Sequence, residues 1–313
     1  MSGAPQPEWI VRLQGISKQF GDKTAVSELD LGVRRGGCFG LLGPNGAGKT
    51  TTLRMIYGVT TPTAGTISVF GLDVARELRA VRRRLGVTLQ ENALVEPLSP
   101  EDNLRIFGRY HRLHGAALER RVDEMMEFLD LRSHAGLPVK ALSGGYQRRL
   151  AIAMSLMNDP ELLILDEPTT GLDPAIRQAL WEKIRALQRA GTTILLTTHY
   201  MDEAERLCDE VAVFASGTIR ALGAPRDLID DHLAREALEV DCETALEDEI
   251  FPQELAPLRI RSGRRLMLFG ADASPMLARA HERLGEEARP IVRPTNLEDV
   301  FLRLTGTQIE EGA

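Results

Sequence analysis

A glycine-rich segment that ends in lysine and threonine has the residue types needed to bind a nucleoside triphosphate. The segment is Gly43-Pro44-Asn45-Gly46-Ala47-Gly48-Lys49-Thr50. Its glycines let backbone N–H groups turn toward phosphate oxygens, its lysine brings positive charge to the β and γ phosphates, and its threonine hydroxyl is a ligand for Mg²⁺. The next residue, Thr51, is placed to hydrogen-bond the α-phosphate. Because the four fixed positions of this pattern recur by chance in about one per cent of chains of this length, the segment predicts nucleotide binding.

Two adjacent carboxylates follow a short apolar run and are the candidates for metal binding and catalysis. Asp166 and Glu167 come directly after residues 162–165, which are all Leu or Ile. In α/β sheets, ligands bind beyond the carboxyl ends of the strands. We therefore predict that Asp166 holds Mg²⁺ through water and that Glu167 polarises the water that attacks the γ-phosphate. The alternative, an ordinary polar turn, is disfavoured by the phosphate-binding segment upstream.

A second anion-binding feature is the start of a predicted helix. Ser143, Gly144 and Gly145 precede the helical pattern of residues 146–152. A helix N-terminus with free N–H groups, together with a serine hydroxyl, is an anion receptor. Since the glycine-rich segment already binds one end of a triphosphate, we expect a second copy of the chain to supply this face. Asp173 is expected to connect the two sites across such a dimer.

Three further side chains are assigned a role only by their position relative to these segments. Gln90 lies between a strand-like run and a helical region, so we predict a hinge that contacts Mg²⁺ and nucleotide when the site closes. His199 follows the run 193–198, where its imidazole is predicted to hydrogen-bond the γ-phosphate, although a lone histidine is more often structural. Phe20 is predicted to stack on adenine because the rest of the nucleotide set is complete.

The strands that must position these side chains are visible in the hydrophobic pattern. Residues 39–42, 162–165 and 193–196 are short, mostly apolar runs, which predict parallel strands buried on both faces. Residues 10–18 and 26–33 mix apolar and polar positions and predict further β structure. The sequence therefore indicates an α/β sheet domain with additional strands before it.

Between residues 90 and 143 the hydrophobic period becomes helical. Ser99-Pro100 is a good helix start, and a single apolar stripe is predicted at Leu118, Val122, Met125 and Leu129. We interpret this region as a helical subdomain, at about residues 91–157, inserted into the sheet domain. The predicted ATP-binding domain as a whole covers residues 1–223.

A change of composition after Gly223 predicts a second, accessory α+β domain over residues 224–313. Within it we predict a hairpin at 259–269, a helix at 276–284 and a strand at 290–293. A last helix is predicted to begin with a capping box formed by Thr295 and Glu298.

Composition limits the remaining possibilities. The net charge of −7 argues against general nucleic-acid binding, and the basic runs Arg82–Arg84 and Arg148–Arg149 are interpreted as solvated helix faces. Three cysteines are too few for a disulfide framework or a zinc site and indicate a reducing cytosol, with Cys38 in the core. No apolar stretch is long enough to span a bilayer, and the first residues lack a signal-peptide pattern. Any membrane role is therefore expected to depend on a partner.

Together these segments resemble the ATP-binding subunit of an ABC transporter over roughly residues 10–223. The resemblance implies ATP and Mg²⁺ as cofactors and an α/β fold of the P-loop NTPase (RecA-like) type, with an antiparallel β subdomain, a helical insert and a small C-terminal α+β domain. It assigns roles to Phe20 (aromatic loop), residues 43–51 (Walker A), Gln90 (Q-loop), residues 142–145 (signature), residues 162–167 (Walker B), Asp173 (D-loop) and His199 (switch histidine). Tyr146 departs from the family pattern, which commonly has Gln after the signature glycines.

Residues 197–208, 228–232 and 296–306 are similar to the branch of this family that exports nodulation factors and polyketide drugs. That similarity implies a cassette homodimer at the cytoplasmic face of the inner membrane, without nucleic acid, which drives a separate ABC-2-type permease to export an amphiphile such as a lipo-oligosaccharide. Export of a drug or another lipid stays open as an alternative. An ABC ATPase that acts on DNA or ribosomes is less favoured, because the chain lacks both a long coiled coil and a second cassette.

Overall fold

Two long antiparallel strands form the start of the described chain, as their mixed polar and apolar sequences predict. Strand β1 is Trp9–Phe20 and strand β2 is Lys23–Arg34. They continue into a four-stranded sheet of order β2-β1-β4-β5, in which β4 is Ala64–Val69 and β5 is Leu72–Asp73. The computed structural model describes residues 9–285 and 288–306 of the chain. It divides into two compact units, Met1–Arg220 and Ala221–Ala313.

A second sheet of six strands forms the centre of the first unit. Its strands are β3 (Cys38–Leu42), β6 (Leu85–Thr88), β7 (Leu162–Asp166), β8 (Thr193–Thr198), β9 (Glu210–Ala215) and β10 (Thr218–Gly223). Their order is β10-β9-β3-β8-β7-β6, and neighbours from β9 to β6 run parallel. Every residue of β3, β7 and β8 is buried, so the three predicted runs are confirmed as strands buried on both faces.

Four helices follow strands of this unit and cover its sheets. They are α1 (Lys49–Ile56), α2 (Val74–Arg83), α6 (Pro174–Arg189) and α7 (Met201–Leu207). One apolar cluster includes Ile10 and Leu13 of the antiparallel sheet together with Leu53 of α1 and Phe214 of β9. Because both sheets contribute to this close-packed cluster, it fixes the positions of the parallel strand ends relative to the antiparallel sheet. Cys38 lies in the core as predicted, and all three cysteines are free.

The predicted helical insert comprises three helices between β6 and β7. They are α3 (Pro100–Tyr110), α4 (Gly115–Phe128) and α5 (Gly144–Ser155). Ser99 caps α3 by accepting a hydrogen bond from the backbone N–H of Asp102. Gly108 allows α3 to approach α4, since a Cβ there would lie 2.4 Å from Leu118 Cδ1. The predicted apolar stripe is buried, with Leu129 just beyond the end of α4.

The second unit is an antiparallel sheet with apolar side chains on both faces. Its strands are β11 (Glu236–Asp241), β12 (Leu258–Ser262), β13 (Arg265–Gly270) and β14 (Ile291–Pro294), in the order β12-β13-β11-β14. Its helices are α8 (Pro225–His232), α9 (Glu247–Ile250), α10 (Ser274–Leu284) and α11 (Leu297–Thr305). Leu238 and Leu268 pack with Met276 on one face, while Met267 and Phe269 pack on the other. The predicted hairpin, helix and strand are all present.

The capping box of α11 lies one residue later than predicted. The Asn296 side chain accepts from the N–H of Asp299, and the Asp299 carboxylate accepts from the N–H of Asn296. Thr295 instead donates its hydroxyl to the carbonyl of Ala234. The physical reason is that fully buried Asp299 binds both terminal nitrogens of Arg293 at 2.7 Å, and this ion pair fixes where the helix begins.

The interpretation of residues 82–84 as a solvated basic face is wrong for Arg84, which is only partly exposed, whereas Arg82 and Arg83 are exposed. Arg82 donates to the carbonyls of Tyr57 and Gly58. Arg84 makes a two-nitrogen contact with Glu161, which also accepts from Arg35. These two arginines therefore act in tertiary structure, and Glu161 carries two cationic partners.

Acid is expected to remove the stabilising effect of this ion triad. Hydrogen bonds from Arg84, together with Arg35, lower the pKa of Glu161 from 4.5 to about 2. A carboxyl group with a depressed folded-state pKa stabilises the protein above its unfolded pKa, and this contribution is lost as pH falls from about 4.5 toward 2. Since more than a third of the side chain is exposed, Glu161→Gln should cost only about 1 kcal/mol at pH 7.

Urea unfolding at pH 7 and pH 3 measures this effect. The difference in unfolding free energy between wild type and Glu161→Gln should shrink at pH 3. Glu182→Gln, at an exposed carboxylate on α6, is the matched control and should show no such change. A Glu161→Gln difference that is equal at both pH values would contradict the assignment.

Among the helices of the described residues, none combines the length and the apolar character that crossing a bilayer requires.

Candidate active site

The glycine-rich segment connects β3 to α1 and has the backbone conformation that a phosphate loop requires. Gly48 has a φ of 107°, and a Cβ at this position would lie 2.6 Å from the carbonyl oxygen of Ala25. Only glycine fits there without strain. Gly46 also has positive φ, whereas Ala47 packs into the core. Helix α1 begins at Lys49, so its free N–H groups lie at the end of the loop.

Lys49 is held at this loop by backbone carbonyl groups. Its Nζ donates to the oxygens of Gly43 at 2.7 Å and Pro44 at 3.0 Å. Burial lowers the pKa of Lys49, while the negative charges of Glu167 and Asp166 act in the opposite direction. A phosphate group beside Nζ would favour the charged ammonium further.

Asp166 ends β7 and faces the threonine of the loop. Its Oδ1 accepts from Thr50 Oγ1 at 3.1 Å and from Thr197 Oγ1, on the adjacent strand β8, at 2.5 Å. The side chain is buried, with 3% exposure. The structure therefore places the two predicted oxygen ligands of Mg²⁺, from Thr50 and Asp166, in direct contact.

Glu167 lies beside two other predicted residues, Gln90 and His199, and beside Thr170, which was not predicted. Its Oε2 accepts from Gln90 Nε2 at 3.3 Å and from Thr170 Oγ1 at 3.1 Å. His199 Nδ1 lies 3.5 Å from the same oxygen, close to the carboxylate but without the geometry of a hydrogen bond. The His199 imidazole is the largest cause that lowers the pKa of Glu167; burial opposes it and Lys49 assists it. Glu167 has a φ of 47°, a left-handed conformation that is uncommon outside glycine.

A cavity of about 360 Å³ brings these elements together. The predicted residues that line it are Phe20, Asn45, Gly46, Gly48, Lys49, Thr50, Thr51, Gln90 and Glu167. Phe20 contributes a half-exposed ring, with Lys18 Nζ 4.8 Å from its centroid. The volume of the cavity lies in the range of small-ligand sites, roughly 300–1,000 Å³. An aromatic ring, a phosphate loop and a carboxylate thus share one cavity.

The predicted signature residues lie outside this cavity. Ser143 and Gly144 are exposed at the start of α5, and the Ser143 side chain makes no capping hydrogen bond there. Gly145 is buried against Ile176: a Cβ at position 145 would lie 2.9 Å from Ile176 Cγ2. Asp173 is exposed at the start of α6 and likewise makes no side-chain cap. The structure of one chain does not bring these four residues to the phosphate loop.

Tyr146, the residue that departs from the family pattern, contacts the helical insert. Its ring centroid lies 3.9 Å from that of His134, and the guanidinium carbon of Arg149 lies 5.4 Å from it. The tyrosine is therefore used in packing within the chain.

Arg148 is a buried residue of this site that the sequence analysis interpreted wrongly as solvated. Its Nη2 donates to the carbonyl oxygens of Asp166 at 2.6 Å and Glu167 at 3.0 Å, and its Nε donates to that of Pro168 at 2.9 Å. Its Nη1 donates to the carbonyl of Leu89. The guanidinium thus joins α5 to the segments that carry Asp166, Glu167 and the predicted hinge.

The electrostatic surroundings of Arg148 reflect this buried position. Burial lowers its pKa to about 10, against the opposing effect of Asp166, Glu203 and Glu167. The side chain is only 5% exposed, whereas the adjacent Arg149 binds Asp130 near the surface. The two arginines lie on different faces of α5: Arg148 is spaced three or four residues from Gly145 and Ile152, which are buried on the same face. This helix phase is the signal by which the sequence could have identified Arg148.

Two family models match the chain. The model described as ABC transporter matches residues 26–170. The model described as Nodulation factor export protein NodI, C-terminal domain, matches residues 253–306. The first match contains the phosphate loop, the hinge, the signature and Asp166 with Glu167, and the second lies within the second unit.

Similar proteins extend this likeness to nearly the whole chain. The Nod factor export ATP-binding protein I of Cupriavidus pinatubonensis is 47% identical over 305 residues, covering 96% of this chain and 92% of that protein. The protein of the same name from Ralstonia nicotianae is 46% identical over 308 residues, covering 96% and 95%.

The fold class is confirmed by a solved structure. That of cbiO1 from Clostridium perfringens, part of the ABC transporter complex cbiONQ, has a TM-score of 0.67 and 27% identity. The match covers 72% of this chain and 92% of that protein. The chain therefore belongs to the ATP-binding proteins of ABC transporters, in the family of Nod factor export ATP-binding protein I, and it binds and hydrolyses ATP.

Proposed function

We propose that this chain is the ATPase subunit of an exporter and that it uses Mg-ATP to drive a separate membrane permease. The observation that carries this proposal is the convergence of Lys49, Asp166, Glu167 and His199 on one site, beside the cavity lined by Phe20. These residues have the chemistry that in-line attack of water on a γ-phosphate requires: a cation, a carboxylate for the metal, and a base.

Mg²⁺ is proposed to bind where Thr50 Oγ1 and Asp166 Oδ1 meet. Both are hard oxygen donors, which suit this ion, and Gln90 adds an amide oxygen when the site closes. Within residues 9–285 and 288–306 no cluster of three or more His, Cys, Asp or Glu side chains could hold a metal. That composition agrees with Mg²⁺, which commonly uses one or two carboxylates together with substrate phosphates.

Glu167 is proposed to act as the base. The His199 imidazole and Lys49 lower its pKa, so it is ionised at neutral pH and can accept a hydrogen bond from the attacking water. Gln90 and Thr170 donate to its Oε2 and hold the carboxylate in place. His199 is proposed to turn its free hydrogen-bonding capacity toward the γ-phosphate once nucleotide separates it from Glu167.

A second copy is proposed to complete the site. Ser143 and the start of α5 are exposed in the single chain, with the serine hydroxyl not used in capping. A helix N-terminus with an uncommitted hydroxyl is suited to the γ-phosphate bound on another chain. Asp173, also exposed, is proposed to link the two sites of the dimer.

The cargo is proposed to be an amphiphile such as a lipo-oligosaccharide, because the similar proteins are named Nod factor export proteins. The permease is proposed to be of the ABC-2 type, with this chain bound peripherally to the cytoplasmic face of the inner membrane. Export of a drug or lipid is the alternative for the same site.

Affinity purification of the tagged chain from detergent-solubilised membranes tests this function. We expect a polytopic membrane protein to co-isolate in a ratio near one to one and to stimulate phosphate release. Export of labelled lipo-oligosaccharide by cells that carry both genes then tests the cargo. Co-isolation with nucleic acid and without any membrane protein would contradict the proposal.

Arg148→Lys is expected to lower both stability and turnover. A lysine ammonium cannot reach carbonyl groups on the two segments that the guanidinium bridges, so buried carbonyls near Asp166 and Leu89 lose their donors. We expect a loss of about 3 kcal/mol in unfolding free energy and at least about a tenfold fall in kcat. Urea unfolding and steady-state phosphate release measure the two effects.

Arg149→Lys is the matched control, because Arg149 pairs with the half-exposed Asp130 and not with the segments that Arg148 bridges. It should change stability by less than about 1 kcal/mol and leave turnover nearly unchanged. Equal effects of the two substitutions would argue against the bridging role of Arg148.

A further inference from the structure

The His199 imidazole is positioned by a contact between rings, because its Nδ1 forms no hydrogen bond. This nitrogen is buried and has no hydrogen-bond partner among the described residues. The imidazole lies against the ring of the next residue, Tyr200, with 4.2 Å between the two ring centroids and 40° between the ring planes. Tilted rings at this separation are in van der Waals contact. The orientation of the imidazole therefore depends on where the tyrosine ring is held.

The backbone between β8 and α7 brings these two rings together. The Tyr200 N–H donates to Thr198 Oγ1 at 2.9 Å, which closes a tight turn directly after β8. Tyr200 then has extended backbone angles and is the last residue before α7. In a regular strand, the side chains of adjacent residues point in opposite directions. The turn at Thr198 is therefore what allows the neighbouring side chains of His199 and Tyr200 to touch.

The Tyr200 ring is bordered in turn by Arg177, in the first turn of α6. The guanidinium carbon of Arg177 lies 5.3 Å from the centroid of Tyr200 and 5.4 Å from that of Trp181. Both distances are within the reach of a cation–π contact, about 6 Å. Trp181 is itself fixed, because it is buried and its Nε1 donates to the fully buried Glu203 of α7 at 3.0 Å. One guanidinium thus joins the rigid part of α6 to the tyrosine beside His199.

We propose that Tyr200 is a positioning residue for ATP hydrolysis: its ring keeps the His199 imidazole beside Glu167, and Arg177 keeps the tyrosine ring in place. This role of Tyr200 rests on the proposed role of His199 at the γ-phosphate. An imidazole that is free to rotate spends less time in the productive orientation, and this loss lowers turnover without weakening ATP binding. Neither Tyr200 nor Arg177 lines the nucleotide cavity, so we expect their substitution to leave ATP affinity unchanged.

Phosphate release and ATP binding by variants of the full chain test this role. Tyr200→Leu removes the ring and should lower kcat by about fivefold or more, with ATP affinity within about twofold of wild type. Tyr200→Phe keeps the ring and should restore kcat to within about twofold of wild type. In a His199→Ala chain, adding Tyr200→Leu should cause no further loss, because no imidazole is left to position. Tyr110→Leu makes the same substitution at an exposed tyrosine of α3 and is the control for the kinetic effect.

Arg177→Met tests the same contact from its other side and should also lower kcat at unchanged ATP affinity. Arg206→Met is the matched control, because the guanidinium carbon of Arg206 lies 5.4 Å from the Trp181 ring, as that of Arg177 does, but is not in contact with Tyr200. It should leave kcat within about twofold of wild type. Equal effects of the two substitutions would show that Arg177 does not act through Tyr200.

An NMR spectrum of the nucleotide-free chain with isotope-labelled histidine tests the ring contact without relying on hydrolysis. The imidazole signal that disappears in His199→Ala belongs to His199. Its position should be kept in Tyr200→Phe and should move in Tyr200→Leu, because the ring beside the imidazole is lost. The proposal is overturned if Tyr200→Leu leaves this signal unchanged, or lowers kcat by the same factor with and without His199. Wild-type turnover by His199→Ala, with the signal still moved by Tyr200→Leu, would instead overturn the proposed role of His199 in hydrolysis.

Discussion

A Glu167→Gln chain is expected to bind ATP with nearly wild-type affinity and to release phosphate roughly 100- to 10,000-fold more slowly, the range of general base catalysis. The amide has the shape of the carboxylate, and its oxygen can still accept from Gln90 and Thr170. It cannot take a proton from water, and it removes the negative charge beside Lys49 and His199. This variant should therefore keep ATP binding and lose most of its ATP hydrolysis.

Slow hydrolysis should also trap the closed dimer. Size-exclusion chromatography with Mg-ATP is expected to show a dimer for Glu167→Gln and a monomer when nucleotide is absent. Glu182→Gln, at an exposed carboxylate, is the control and should hydrolyse ATP like wild type. Turnover by Glu167→Gln within about threefold of wild type would show that Glu167 is not the base. A variant that binds ATP but stays monomeric at high protein concentration would argue against the shared site.

Mixing two inactive variants is expected to restore activity, because each composite site takes its phosphate loop from one chain and its signature from the other. Lys49→Ala removes a buried cation from the loop, and Ser143→Arg puts bulk and positive charge at the exposed start of α5. Each homodimer should lose activity by about 100-fold or more. In a mixed dimer both lesions fall in one site, and the other site is intact.

Random pairing makes half of the dimers mixed, each with one good site of two, so recovery should reach about a quarter of wild-type activity if one site can turn over alone. Phosphate release is measured at several mixing ratios, and tagged pull-down verifies that subunits exchange. No recovery in confirmed mixed dimers means strict coupling of the sites or an unshared site. Measuring nucleotide binding by the mixed dimer distinguishes strict coupling of the sites from an unshared site.

The phosphate loop and the central strands could be predicted from sequence because their constraints are local. Position 48 requires glycine because a Cβ there would clash with the carbonyl oxygen of Ala25. Strands β3, β7 and β8 are mostly apolar because both of their faces are buried. The contact between Thr50 and Asp166 follows from the way the loop after β3 and the end of β7 meet at one edge of the sheet. The proposed chemical roles of these residues stay predictions that the variants above test.

The features that sequence could not supply depend on partners distant along the chain. Helix phase distinguishes Arg148 from Arg149, but the carbonyl groups that Arg148 binds lie on β7 and after β6 and are not visible in the sequence. The capping box moved by one residue because Arg293 binds Asp299. Strand β11, one of the two inner strands of the sheet in the second unit, was not predicted at all. Its charged Glu239 looks solvated in sequence but pairs with Arg265 and Arg293 across the sheet.

The order of strands in the parallel sheet has a consequence for biosynthesis. Strand β3 is paired on both sides by strands that lie roughly 150 or more residues later, since Cys38 is the neighbour of Ile194 and Phe39 that of Glu210. At a translation rate of about 5–20 residues per second, those neighbours leave the ribosome some 10–30 seconds after β3. Strands β1, β2 and β4 can pair during that interval, because they are close in sequence. We therefore expect the nascent chain to expose an apolar, unpaired β3 during this interval, a condition that favours aggregation or chaperone binding.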